Sequence, residues 1–167
     1  VSKCVEAAYQ HIGPVYTRIG MNHEKEFFDE TYDFRVGKND VLQEGGDLCI
    51  FVTGSILEEV YEAAQLLKAE GVHARIVYVH TLKPFDEENI LSMVQDVQMF
   101  ITVEEHNILG GLGSIISEVL SAHGIGMRLH RIGLHDCFAS GYGTHKNVRI
   151  ENQLDARSIF REIKEVL

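Results

Sequence analysis

The densest chemistry in the chain lies between Glu104 and Ser114. Glu104-Glu105-His106 places two carboxylates beside an imidazole, the residue types of a general acid–base group. Asn107-Ile-Leu-Gly110-Gly111-Leu-Gly113-Ser114 follows at once. A glycine-rich turn lets one backbone approach another closely, and it leaves unpaired N–H groups where a helix begins. Two readings stand. One is an anion or phosphate seat at the helix start. The other is tight packing that tolerates no side chain, and it is favoured because Ile116 stands where a dinucleotide fingerprint requires its third glycine. Glu104, Glu105 and His106 stand at a strand's carboxyl end, where ligands bind in open sheets, so the acid–base reading stays open at this point.

Other chemical patterns are weaker. Nine histidines are scattered along the chain, and none forms the i, i+4 pair of a helical zinc site. His130, His135 and His145, with Asp136 and Cys137 between them, come nearest to a ligand set, but no metal site is assigned. Ser55 and Ser114 have no histidine arranged as in a nucleophile elbow, and both read as helix caps. Cys4, Cys49 and Cys137 form no CxxC pair, which points to reduced thiols and a cytoplasmic protein.

These residues must be held by alternating elements. The run Met99–Val103 is apolar and β-prone, a buried strand, and Ile115, Ile116, Val119 and Leu120 recur at helical spacing after the turn. Earlier, a helix is expected over 1–12, stopped at Gly13-Pro14, then a short strand at 15–19. Residues 20–31 are polar and irregular, the best linker. Residues 34–38 and 40–43 read as a hairpin or edge pair. Residues 48–53 form a strand, and Ser55 with Glu58 has capping-box spacing for a helix running to about residue 69, ended by Gly71. A strand at 74–80 follows, then a helix capped by Asp86 and a last strand at 127–132. Residues 133–150 show no period and should wrap a sheet edge or an interface. An amphipathic helix at 154–167 closes the chain, with Ile159, Ile163, Val166 and Leu167 on its apolar side.

Uniformly apolar strands alternating with helices imply an α/β fold with a mostly parallel sheet covered on both faces. A length of 167 residues with 45% hydrophobic content can bury one ordinary core. The formal charge of −10 argues against nucleic acid or an anionic membrane as partner, and no apolar run has membrane-spanning length. The chain opens at Val1 inside a helical pattern, as a fragment or processed form would.

Four ordered segments carry a family resemblance. Val103-Glu-Glu-His106 with Gly110-Gly-Leu-Gly-Ser114 resembles the C-terminal domain of transketolases and related thiamine-diphosphate enzymes. So do Asp47-Leu-Cys-Ile-Phe-Val-Thr-Gly-Ser55, His80-Thr-Leu-Lys-Pro-Phe-Asp86, and Arg131-Ile-Gly-Leu-His-Asp136 with Phe138 and Gly141. The resemblance implies a three-layer α/β/α sandwich with a five-stranded, mostly parallel sheet and one antiparallel edge strand. It implies, too, that Glu104, Glu105 and His106 hold the following turn and face a domain or subunit interface, the favoured reading of these residues. It also divides the chain. Residues 1–31 resemble the end of the preceding pyrimidine-binding domain plus linker, and 32–167 the C-terminal domain. Arg18 matches an arginine that in transketolases helps hold the phosphate of sugar phosphates. A strand-end arginine paired to the acidic linker is the equal alternative.

The family's Gly-Asp-Gly run and its cofactor-activating glutamate are absent from this sequence. The resemblance therefore implies thiamine diphosphate and Mg²⁺ in a complete enzyme and none on this chain. The expected role is support of domain assembly and of a homodimer, alongside an N-terminal subunit or the rest of the same enzyme. The activity implied is transfer of a two-carbon ketol unit between sugar phosphates. The alternatives are deoxyxylulose-phosphate synthase, the β-subunit of a 2-oxoacid dehydrogenase, and a stand-alone anion-binding or assembly module.

Overall fold

The computed structural model describes residues 1–20 and 24–167, so part of the expected linker at 20–31 lies outside the described residues. Five strands form one sheet: β1 (Asp40–Gln43), β2 (Leu48–Val52), β3 (Ala74–Tyr78), β4 (Phe100–Asn107) and β5 (Leu129–Leu134). Their order is β1-β3-β2-β4-β5. β1 runs antiparallel to β3 at one edge, and the other neighbours are parallel.

Strand composition decides the layers. All five residues of β2 are buried, and the strand's period of two sends Ile50 and Val52 to one face, Cys49 and Phe51 to the other. The first face is covered by α2 (Leu57–Ala69) and α6 (Ala156–Val166), which bury Val60, Ala64 and Leu67 and Ile159 and Ile163. The second is covered by α3 (Glu87–Ser92) and α4 (Leu112–Ala122), through Ile90, Leu112, Ile116 and Leu120. Each of these valine, leucine and isoleucine side chains contributes about 1.5–3 kcal/mol by leaving water. The result is the expected three-layer sandwich with its antiparallel edge strand.

Several local expectations give way. Residues 15–19 form no strand: the whole of 11–20 is exposed, and β-prone residues with no ladder to join remain irregular. The preceding helix is present as α1 (Ser2–Gln10) and buries no side chain. Residues 34–38 are not a strand either. Gly37 turns there with φ +77°, and the β1 edge pairs with β3 instead. Ser55 does not cap α2. A 3-10 turn at Gly54–Ile56 intervenes, and the hydroxyl points elsewhere. Asp86 does not cap α3 through its side chain, because its carboxylate accepts from the Asn39 N–H at 3.0 Å and from Lys38 at 3.1 Å. Ser114 lies inside α4, whose N-cap is Gly111. The segment 133–150 contains the start of a helix, α5 (His145–Glu151), capped by Thr144.

Candidate functional site

The acid–base residues sit where ligands bind in open α/β sheets, at the carboxyl end of a central strand. Successive residues of β4 point to opposite faces, so Glu104 and Glu105 serve different sides.

Glu104 is fully buried beneath α4. Its Oε2 accepts from the Leu112 N–H at 2.6 Å and its Oε1 from the Gly113 N–H at 3.2 Å. These are among the four N–H groups that a helix leaves unpaired at its start, so a carboxylate from the sheet caps the helix and complements its dipole. His106, two residues on and on the same face, brings Nε2 to 3.3 Å from Oε2. Burial lifts the Glu104 carboxyl above its ordinary value, against the Gly113 and Leu112 N–H groups and the nearby His106 and Arg131. Gly111 is required here because a Cβ would stand 2.0 Å from Glu104 Oε2. A Cβ on Gly113 would stand 2.5 Å from Arg131 Cδ and 2.8 Å from Thr102 Oγ1. Gly110 (φ +78°) supplies the bend, and its N–H donates to Ser114 Oγ at 2.9 Å. The glycine turn thus seats the protein's own carboxylate, and the N–H groups of Leu112 and Gly113 are already engaged.

Glu105 faces the other way and gathers three elements. It accepts from Ser55 Oγ at 2.6 Å, at the exit of β2, from Arg149 Nε at 2.7 Å, and pairs with His145 Nε2 at 2.8 Å, the last two on α5. Arg149 also reaches Glu59 at 3.4 Å, and Glu59 Oε2 accepts the Ala156 N–H at 2.8 Å at the start of α6. Burial raises the Glu105 carboxyl, but the hydrogen bonds from Arg149 and Ser55 and the charges of Arg149 and His145 together outweigh it. The net position is below the ordinary carboxylate value.

Arg149 and Glu59 are the residues that sequence reasoning passes over. Glu59 resembles a solvated first-turn acid, and Arg149 lies in a stretch without period. The only signal is an arginine flanked by Val148 and Ile150 in Asn-Val-Arg-Ile-Glu.

The remaining candidates are not brought together. His130 pairs with Glu162 at 2.8 Å and His145 with Glu105, on separate elements. Arg18 is exposed and, among the described residues, makes no ion pair. A polar cavity of about 520 Å³ opens beside Asp40, His80 and Asp86. Several of its groups engage one another: Tyr32 donates to Asp40, His80 Nε2 lies 3.5 Å from Asp40, and Asp86 holds Lys38, while the buried Asn39 Oδ1 has no hydrogen-bond partner among the described residues. Burial keeps His80 below its ordinary value against the pull of Asp40.

The donor set does not fit a diphosphate–Mg²⁺ group. Among the described residues no three His, Cys, Asp or Glu side chains converge on a common point. The N–H groups that would cradle a phosphate are held by Glu104, whose charge would repel one.

The sequence profile of the family described as "Transketolase, C-terminal domain" matches residues 37–159. An apulose-4-phosphate transketolase subunit of Actinobacillus succinogenes is 35% identical over 155 residues, covering 93% of this chain and 50% of that protein. The 1-deoxy-D-xylulose-5-phosphate synthase of Heliobacterium modesticaldum is 30% identical over 97% of this chain and 25% of its own length. A solved structure described as a split gene transketolase, inactive beta4 tetramer, superposes with a TM-score of 0.89 at 34% identity, covering 97% of this chain and 52% of that one. The chain spans about half the length of the transketolase-subunit relatives it matches. It belongs to the transketolase C-terminal domain family.

Proposed function

We propose that this chain is the C-terminal portion of a transketolase-type enzyme, in which it assembles and braces the machinery and performs no bond-breaking step. The observation that carries this reading is the engagement of every acid–base group at the β4 exit. Glu104 caps α4, His106 leans on Glu104, and Glu105 is held by Ser55, Arg149 and His145. A group so engaged is spent on positioning, because a general acid or base needs a free site for the substrate proton.

The complete enzyme would move a two-carbon ketol unit between sugar phosphates, with thiamine diphosphate and Mg²⁺ held by its other half. Residues 1–31 would belong to the preceding pyrimidine-binding domain. The exposure of Tyr9 (91%), Ile12 (99%) and Tyr16 (89%) supports that division, since such side chains normally meet another surface. In that domain's context Arg18 would grip the sugar phosphate, a forked guanidinium contact. The description of the split-gene relative as an inactive tetramer supports a further element: this chain associates with itself and is silent alone.

Reconstitution with the N-terminal half tests the reading. The mixture should catalyse ketol transfer and this chain alone should not; turnover by the chain alone would overturn it. In the reconstituted enzyme, Arg18→Ala should raise KM for phosphorylated sugars by roughly 10–100-fold, the loss of one charge-assisted contact of about 1.5–3 kcal/mol, and leave unphosphorylated acceptors unaffected. An unchanged KM removes the phosphate role. A second reading, favoured by the 30%-identical synthase, gives the complete enzyme a 1-deoxyxylulose-5-phosphate product, and product analysis of the same mixture separates the two.

A further inference from the structure

The cavity of about 520 Å³ beside Asp40 and His80 lies at the carboxyl end of β3, the end of a strand where open α/β sheets take their ligands. Small-molecule sites run to about 300–1,000 Å³, so its size suits one. Three parts of the chain wall it: residues 33–40, leading into β1; His80, beyond β3; and Asp86 with Asn89, at the start of α3. These walls are built, not loose surface. The Asp86 side chain is 6% exposed and that of His80 9%. Phe34 lies against the His80 ring with centroids 4.5 Å apart, and His80 Nδ1 stands 2.7 Å from Thr81 Oγ1. Two neighbouring amides keep unused bonding capacity. Asn39 gives its backbone N–H to Asp86 and its Nδ2 to Asn89 Oδ1 at 3.1 Å, and its buried Oδ1 has no donor among the described residues. Asn89, having accepted that bond, finds no acceptor among them for its own amide N–H groups. A buried acceptor left without a donor is rare in a folded protein, so it marks a place where one is due.

Charge and bonding capacity select the occupant. The cations of the lining are committed: Lys38 to Asp86 at 3.1 Å, and Arg35 Nε to Asp33 at 2.8 Å. Burial holds the His80 imidazole below its ordinary value, so it supplies no further cation at neutral pH. An anion would therefore face the carboxylates of Asp40 and Glu88 without compensation. An ammonium group donates and cannot accept, so it would serve Asn39 Oδ1 and leave the Asn89 N–H groups unmet. A hydroxyl does both. We propose that this cavity binds an uncharged polyol, a small sugar or sugar alcohol, with one hydroxyl donating to Asn39 Oδ1 and a neighbouring one accepting from the Asn89 amide. The site is complete within this chain, so it does not depend on which reaction the whole enzyme performs.

Titration of the isotope-labelled chain with ribitol, followed through its amide chemical shifts, tests the site. Ribitol should shift the backbone amides of Asn39 and His80 and the side-chain amides of Asn39 and Asn89, saturably, with a Kd of about 1 mM. Ribose 5-phosphate, which adds an anion, and putrescine, which offers only donors, should each bind about ten-fold more weakly or not at all. Asn39→Ala and Asn89→Ala should each weaken ribitol binding about ten-fold, the loss of one hydrogen bond. The wild-type shift map decides the matter even where a variant fails to fold. The assignment is overturned if ribitol produces only an unsaturable drift, if the saturable shifts fall elsewhere on the molecule, or if either folded variant binds ribitol as the wild type does. Tighter binding of ribose 5-phosphate than of ribitol overturns the argument from charge, and tighter binding of putrescine the argument from paired hydroxyls; either result removes the polyol as the occupant.

Discussion

Glu104 shows how one side chain can make a sequence motif look like a ligand site. The turn has the glycines and the helix start of an anion seat, and an anion does occupy it, covalently part of β4. The two adjacent glycines then differ in what they demand. Gly110 needs its positive φ and has open space around its Cβ position, whereas Gly111 has an ordinary φ of −88° and no space. Gly111→Ala forces the Glu104 carboxylate aside. Glu104 is buried with both oxygens bonded, so it cannot yield without leaving the Leu112 and Gly113 N–H groups unpaired. The expected loss is about 2–4 kcal/mol in urea unfolding, from overpacking and broken charge-assisted bonds. Gly110→Ala should cost only the left-handed backbone penalty, about 1–2 kcal/mol. Equal losses would remove the argument from close approach.

At the scale of elements, the network around Glu105 ties the exit of β2, the exit of β4 and the starts of α5 and α6. α5 has seven residues, too few to hold a helix in water by propensity. Its position depends on Arg149, whose side chain is 9% exposed, and on His145. Arg149→Met removes the cation and leaves Glu105 and Glu59 close together without it. Breaking a buried pair in this way costs about 3–5 kcal/mol. Amide exchange across 145–151 should accelerate well before global unfolding. The Glu105→Gln, Arg149→Met double variant should lose less than the sum of the single losses, since each removes part of the same contact. Strict additivity would show that the two groups act separately.

For the whole molecule, the two adjacent glutamates pull the pH dependence in opposite directions. Glu105 titrates lower in the folded chain than in the unfolded one, so the unfolded chain binds more protons in acid. Its stabilisation is complete above the ordinary glutamate value of about 4.3 and fades as pH falls through the folded value. The stability gap between wild type and Glu105→Gln should therefore narrow as pH drops from 6 towards 3, both figures being roughly placed around that ordinary value. Glu104 has the reverse sign. Its folded value is raised, so its ionisation weakens the fold as pH rises, and the gap to Glu104→Gln should narrow in the other direction. Comparing each variant with wild type at the same pH cancels the relief of self-repulsion as the acidic chain nears its isoelectric point of about 5.3. Gaps that both move the same way would contradict the opposed environments of the two carboxylates.

The sequence by itself determined the layered α/β architecture. Apolar runs such as Leu48–Val52 must be buried on both faces, and periodic stripes such as Ile159 and Ile163 must cover them, so local composition carries the information. It also located the β4 turn and its glycines. It misplaced Ser55 and Ser114 as caps and Val15–Ile19 as a strand, because a cap or a ladder is decided by what stands opposite in space. Only the tertiary structure brought Glu105 to Arg149, 44 residues away, and Arg149 to Glu59, 90 residues away. Charged side chains carry no periodic signal that names a distant partner. Their pairing follows from where the sheet order and the crossovers deliver them.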